Sequence, residues 1–314
     1  MRWAALAFAV VLAGCAIGEA QGEPESPTPA SEPARVVAQP VSPPPPASPP
    51  LAPGWFAEAT LESAAFVTPG SPSVVVHAPP GFDPSRPLHL VVFIHGWRGC
   101  ARQLAHGGEV ACRDGARPVS GWDLAARFDE AGLNALFVVP QLAFLVTDGS
   151  AGRFVEAGRF RAFVEEMLGA LRDRLGPPTD ASRIASVTLL AHSAGYETTL
   201  ALLARGGVEV DEVVLFDAMY RGHNAFADWV LGDPDRRFVS LHGATGRTVS
   251  QSQLFAGRLR SLGEALSDDA EGDLESLVEE HRVVIARASA PHGDIPARHM
   301  AEVLRGLRGS GPAE

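Results

Sequence analysis

The chain has 314 residues, 46% of them hydrophobic and 20% charged, enough material for one sizeable core plus an extension. That excludes a disulfide-dense miniprotein and a wholly disordered chain. The formal charge is −11 and there is no lysine, which excludes a nucleic-acid partner, because such proteins gather cations against phosphates; the acidity favours solubility.

Near the start, one cation, Arg2, precedes an apolar run at positions 4–12 and then Leu12-Ala13-Gly14-Cys15. The run is shorter than the roughly 20 residues a spanning helix needs, so positions 1–15 read as an export signal. Leu-Ala-Gly-Cys resembles the lipobox of bacterial lipoproteins. That resemblance implies that Cys15 becomes the lipidated first residue of an exported chain, anchored to a bacterial membrane in the cell envelope. Ala16 in place of aspartate suits the outer membrane if the source is Gram-negative. The alternative is an ordinary cleaved signal with a bystander cysteine. Positions 16–54 are dominated by Pro, Ala, Ser and Glu, with four prolines at 43–46, and form a tether. At about 3.1 Å per residue such a segment spans on the order of 100 Å. A disordered spacer with no required reach fits the composition equally well.

From position 55 to 314, short β-branched or aromatic runs alternate with segments of helical period, the pattern of an α/β domain with a mostly parallel sheet covered by helices. Strands are expected over 73–77 and 89–95, the second continuously apolar as for a strand covered on both faces. Next come Cys100 and Cys112, a pair expected to form a short-loop disulfide in an oxidising compartment, with two free buried thiols as the alternative. No histidine cluster near them has zinc-ligand spacing, and no metal or organic cofactor is expected. A strand follows over 135–139. A helix over 154–174 places Phe160, Phe163, Val164, Met167, Leu168 and Leu171 on one buried stripe, ended by Gly176-Pro177-Pro178. The remaining strands are expected over 186–191, 212–216, 237–241 and 283–286, with helices over 196–204 and 297–307. Between the last two strands, positions 250–280 are amphipathic and acidic, a helical insertion or crossover.

The candidate chemistry centres on Ala191-His192-Ser193-Ala194-Gly195, where a strand passes through small residues straight into a helix. A serine on such a sharp turn projects its hydroxyl above the sheet, and small neighbours are needed because the backbones pass closely. Ser240 and Ser289 lack the turn; the plain alternative for Ser193 is a serine in an ordinary turn. A serine hydroxyl needs a base, and the base needs a carboxylate to orient it. His292 follows the last strand in a loop suited to reach over Ser193. His299 lies inside the final helix and His281 precedes its strand. Asp217 directly follows the strand 212–216. The next loop, 242–248, offers no carboxylate, and Asp294 is too close to His292. A surface histidine and a helix-capping aspartate are the competing roles of His292 and Asp217. For the developing oxyanion, the backbone N–H groups of Trp97 and Ala194 are the candidate donors, with His95 as scaffold.

The stretch 74–300 resembles the α/β-hydrolase family, in particular secreted bacterial members that combine His95-Gly96-Trp97, His192-Ser193-Ala194-Gly195 and Asp217-Ala218-Met219-Tyr220. Alanine at 191 stands where the family pattern usually has glycine. The resemblance implies the α/β-hydrolase fold, helices on both faces of the sheet and the order Ser193, Asp217, His292 for a catalytic triad. The expected activity is hydrolysis of a carboxylic ester, the substrate a small-molecule or lipid-like ester. An amidase or thioesterase with the same triad, or a surface binding protein that keeps the fold without catalysis, are the alternatives. Phe226, Trp229, Val230 and Leu231 read either as an acyl pocket or lid, or as a helix packed on the sheet.

Overall fold

A computed structural model describes residues 52–264, 266–267 and 273–307. The expected signal, Cys15 and nearly all of the tether lie outside the described residues. In chain order the elements are β1 (Trp55–Ala59), β2 (Val74–Ala78), β3 (Leu88–Ile94), α1 (Ala101–Ala105), β4 (Glu109–Val110), β5 (Val119–Ser120), α2 (Leu124–Asp129), β6 (Ala135–Pro140), α3 (Arg159–Ala170) and α4 (Arg172–Leu175). They continue with β7 (Ile184–His192), α5 (Tyr196–Arg205), β8 (Glu212–Phe216), α6 (His223–Leu231), β9 (Arg237–His242), α7 (Arg247–Ser261), α8 (Leu274–Glu280), β10 (Val283–Arg287) and α9 (Ile295–Gly306).

Eight strands form one sheet in the order β1-β2-β6-β3-β7-β8-β9-β10, antiparallel at β1–β2 and β2–β6 and parallel from β6 to β10. Successive side chains of a strand point to opposite faces, and here both faces are covered. Leu90, Val92 and Ile94 of β3, with Leu189 of β7 and Leu215 of β8, enter a core that holds Phe160, Phe163 and Met167 of α3 and Phe255 of α7. Their neighbours Val91, Phe93, Leu190 and Phe216 enter the opposite core, with Phe128 of α2 and Met300 and Leu304 of α9. Burial on both sides is why these strands are apolar throughout instead of alternating. The parallel arrangement brings the carboxyl ends of β3, β7, β8, β9 and β10 to one edge. Ile94 pairs with Ala191, His192 with Phe216, Phe216 with Leu241 and Leu241 with Ala286, so the loops after all five strands start at about one level.

Two expectations change, one open alternative is decided, and three short strands stand where none was expected. The stretch 154–174 is not one helix: a 3-10 turn at Gly152–Val155 is followed by α3 and then the short α4. Gly158, with φ of 72° in the left-handed region, sets the break. Phe154 nonetheless packs its ring 5.5 Å from Phe160 and 5.3 Å from Phe163, so the apolar period runs on through a break in the backbone. The helical stretch 250–280 is two helices, α7 and α8, and α7 starts at Arg247. Phe226 and Val230 are fully buried in α6, with the Phe226 ring 5.4 Å from Phe238, so this segment packs on the sheet and is no lid. The edge strand β1 and the hairpin β4–β5 carry no strong sequence signal: β1 is half-buried, with an alternating pattern over five residues, and each hairpin strand has two residues.

Cys100 and Cys112 are joined in a disulfide that closes the segment holding α1 and β4. Cys100 also caps α1, its sulfur accepting from the Gln103 N–H at 3.3 Å. Replacing both cysteines by alanine is expected to lower the unfolding free energy by about 3 kcal/mol through the looser unfolded chain. Denaturant titration of the double variant beside the oxidised protein measures this.

Candidate active site

Ser193 leaves β7 at a 3-10 turn, Ser193–Gly195, that runs straight into α5. Its φ is 56°, a left-handed conformation that costs a non-glycine residue energy and persists only where the surroundings impose it. Two glycines make the turn possible. A methyl group on Gly195 would sit 2.4 Å from the Ile94 carbonyl oxygen, and one on Gly96 would sit 2.7 Å from the Ser193 Cβ and 3.1 Å from the Ala194 nitrogen. The loop after β3 therefore passes directly beside the serine.

That loop is held by His95. Its side chain is buried, and burial, only partly offset by the bond to Gly96, pulls its pKa down to about 4. Nε2 lies 3.0 Å from the Leu142 N–H, a group that only donates, so Nε2 is the acceptor. The proton is then on Nδ1 and is donated to the Gly96 carbonyl at 2.8 Å. This fixes the direction of the Gly96 peptide. Arg98 gives its N–H to the Val146 carbonyl, while among the described residues none accepts from the Trp97 N–H. The Trp97 side chain stands 59% exposed over the cavity at Ser193.

Asp217 follows β8 with φ of 48°, a second left-handed non-glycine residue at the same edge of the sheet. Its carboxylate is buried and caps no helix. Oδ2 accepts from His292 Nδ1 at 2.6 Å, and Oδ1 accepts from the Gly243 N–H at 3.0 Å and from the Thr248 hydroxyl. Burial pushes this carboxyl up, but the hydrogen bonds from His292, Thr248 and Gly243 outweigh it and hold the pKa at about 2. An ionised carboxylate only accepts, so His292 carries its proton on Nδ1 and presents the Nε2 lone pair.

The His292 ring stacks on His192, centroids 4.6 Å apart, and His192 Nε2 donates to the His292 carbonyl at 3.0 Å. His192 is the residue immediately before Ser193. Burial, with His292 nearby, lowers the His192 pKa to about 4, so a neutral ring carries the contact. The Ser193 side chain itself is in contact with the Tyr220 hydroxyl, and among the described residues no hydrogen bond joins it to His292. The structure thus pairs Asp217 with His292 and sets both at the strand edge that carries Ser193. It leaves the serine turned toward Tyr220.

Thr248, Gly243, His192 and Tyr220 were not assigned roles from the sequence. The loop 242–248 holds no carboxylate; what it supplies instead is two donors to Asp217. Their signal is the carboxylate's own need for partners once it is buried. His299 is largely buried in α9, and His281 precedes β10.

Trp97, Ala194, Tyr196 and Tyr220 line a cavity of about 350 Å³ that opens on Ser193. A larger one, about 580 Å³, lies at the amino ends of the strands, among Glu212, Arg237 and Arg282. A second serine–histidine contact, Ser186 to His89 Nδ1 at 2.7 Å, borders that cavity, but the two residues are register partners across β3 and β7 and lie on no turn. Among the described residues no cluster of histidine, cysteine and carboxylate side chains is arranged to hold a metal ion.

No family model matches the chain, and no curated protein sequence does. Solved structures do. A serine-to-alanine mutant of the feruloyl esterase module from Clostridium thermocellum, complexed with sinapinate, superposes with a TM-score of 0.52 at 12% identity, over 81% of this chain and 88% of the other. A ferulic acid esterase gives a TM-score of 0.51 at 12% identity, over 83% of this chain and all (100%) of the other. Together with the parallel sheet covered on both faces and the sharp turn after β7, these likenesses show that the chain has the α/β-hydrolase fold.

Proposed function

We propose that this protein is a serine hydrolase that cleaves a carboxylic ester through an acyl-enzyme. The observation that carries the reading is the Asp217–His292 hydrogen bond at 2.6 Å, with that imidazole stacked on the residue next to Ser193. The reaction requires the Ser193 side chain to turn from Tyr220 to His292 Nε2, and catalytic hydrogen bonds of this kind commonly tighten only when substrate is bound. Ser193 Oγ then attacks the ester carbonyl while Nε2 takes the hydroxyl proton. The carbonyl oxygen becomes an oxyanion held by the Trp97 and Ala194 N–H groups. The bond to the alcohol breaks, and the alcohol leaves with the proton from Nε2. Water, deprotonated by the same nitrogen, attacks the acyl-enzyme, and the acid departs as Ser193 regains its proton. Asp217 holds the tautomer and stabilises the imidazolium.

Two structures with the same fold are described as esterases, which supports an ester over the amide or thioester that the same groups also attack. A fluorophosphonate probe is expected to label the protein once, at Ser193, and Ser193→Ala to remove the label. Peptide mapping after labelling decides it: no reaction, or a label on another serine, overturns the reading. Within the same proposal the chain is exported and lipid-anchored at Cys15. The disulfide supports export, because such bonds persist in oxidising compartments. No described helix is long and apolar enough to cross a membrane. The mature protein is expected to begin at an acylated Cys15, with a mass to match; an unmodified N-terminus at another position refutes the anchor.

A further inference from the structure

We propose that Arg221 and Arg247 make the cavity at Ser193 selective for an ester that carries a carboxylate. This rests on the serine hydrolase reading and narrows its substrate. Both arginines line that cavity. Among the described residues neither has an ion pair or hydrogen bond to its guanidinium, although acidic residues outnumber basic ones 37 to 26 in the chain. Arginines elsewhere are committed: Arg102 to Glu58, Arg258 to Asp228, Arg282 to Glu264 and Arg305 to Glu275. Among the described residues the two at the candidate nucleophile have no carboxylate partner.

The surroundings deepen the positive potential. Both guanidinium groups act on the Tyr196 hydroxyl across the cavity, opposing the burial and the Glu197 contact that raise its pKa. Arg221 immediately precedes the cap of α6 and Arg247 opens α7, and neither helix has a side-chain cap or an acidic residue in its first turn. The exposed backbone N–H groups and helix dipoles there add to the two charges. Glu197 is the one opposing carboxylate among the lining residues, and it accepts from the Tyr196 hydroxyl at 3.0 Å. The count at the mouth is two cations to one anion, in a chain whose net charge is −11. Opposite charge is then favoured in this cavity, while the rings of Trp97, Tyr196 and Tyr220 supply the apolar wall for the body of the ester.

The test uses the Ser193→Ala protein, so that binding is measured without turnover. Titration calorimetry compares monomethyl glutarate, a monoanion at neutral pH, with the neutral dimethyl glutarate of nearly the same shape. The monoanion is expected to bind at least about tenfold more tightly, each exposed arginine contributing up to about fivefold, with the preference shrinking as salt rises. Adding Arg221→Gln and Arg247→Gln is expected to abolish the preference while leaving dimethyl glutarate binding unchanged. Adding Glu197→Gln is expected to enlarge it, which a merely structural role for these residues would not do. Equal affinity for the two esters, no binding of the monoanion, or a preference that survives loss of both arginines overturns the proposal. Fluorophosphonate labelling of Ser193 is independent of these outcomes, so either reading can fail without the other.

Discussion

Asp217→Asn is expected to lower kcat by roughly 10⁴ while leaving the fold intact, and the reason lies in which oxygen each donor meets. Oδ1 receives the Gly243 N–H and the Thr248 hydroxyl; Oδ2 receives His292 Nδ1. An asparagine has one acceptor oxygen and one NH₂ donor. The two donors at Oδ1 keep the amide oxygen there, so the NH₂ group faces His292. Nδ1 must then accept, its proton moves to Nε2, and the ring presents an N–H where the mechanism needs a lone pair. The side chain changes neither size nor shape, so circular dichroism should stay that of the parent, while thermal unfolding falls only by the stability that the ionised carboxylate contributes. Steady-state kinetics on a chromogenic ester measures the loss, and a fall of less than about tenfold would remove Asp217 from the mechanism. The approximate pKa of 2 argues the same way, since three donors converge on an ionised group.

Much of this was readable in advance because the sheet converts sequence pattern into position. Seven of the strands were placed from apolar runs, and a parallel sheet then forces the residues after β3, β7, β8 and β10 to one edge. Gly96, Ser193, Asp217 and His292 sit after those strands, and so their positions at strand ends put them on one edge of the sheet. What stayed hidden depends on contacts between elements distant in the chain. Thr248 reaches Asp217 from the start of α7, thirty-one positions away, and a threonine at a helix start looks like any other. Tyr220 carries no sequence signal of its own beyond its segment, because its meeting with Ser193 depends on a side-chain rotamer. The uncommitted arginines were equally invisible: sequence counts charges, but only coordinates show which of them lack a partner. The break at Gly158 escaped for the opposite reason, since the phenylalanines on both sides of it bury against the same core and preserve the period.

The protein is expected to lose several kcal/mol of stability between pH 6.5 and 4, before Asp217 is protonated. His95 and His192 are buried as neutral rings with pKa lowered to about 4, while in the unfolded chain they titrate near 6.5. As pH falls through that window the unfolded state binds protons that the folded state refuses, and the equilibrium moves toward unfolding. Stability is therefore complete above about pH 6.5, declines down to about 4 and then levels off for these two groups. Each costs about 3 kcal/mol at the bottom of the window, a large share of the 5 to 15 kcal/mol typical of a folded domain. Asp217 acts in the same direction but lower down: its contribution is present above about pH 4 and is lost as pH drops toward 2. The two histidines are also the ones that hold the site. A protonated His95 has no lone pair for the Leu142 N–H, and a protonated His192 places a charge in the buried ring contact with His292, centroids 4.6 Å apart. Acid should release the loop that carries Trp97 and the support of His292 together with the fold. Urea titrations at pH 7.5, 6, 5 and 4.5 measure the slope, and unfolding free energies that stay level from 7 to 5 would show that these rings are not buried in their neutral form.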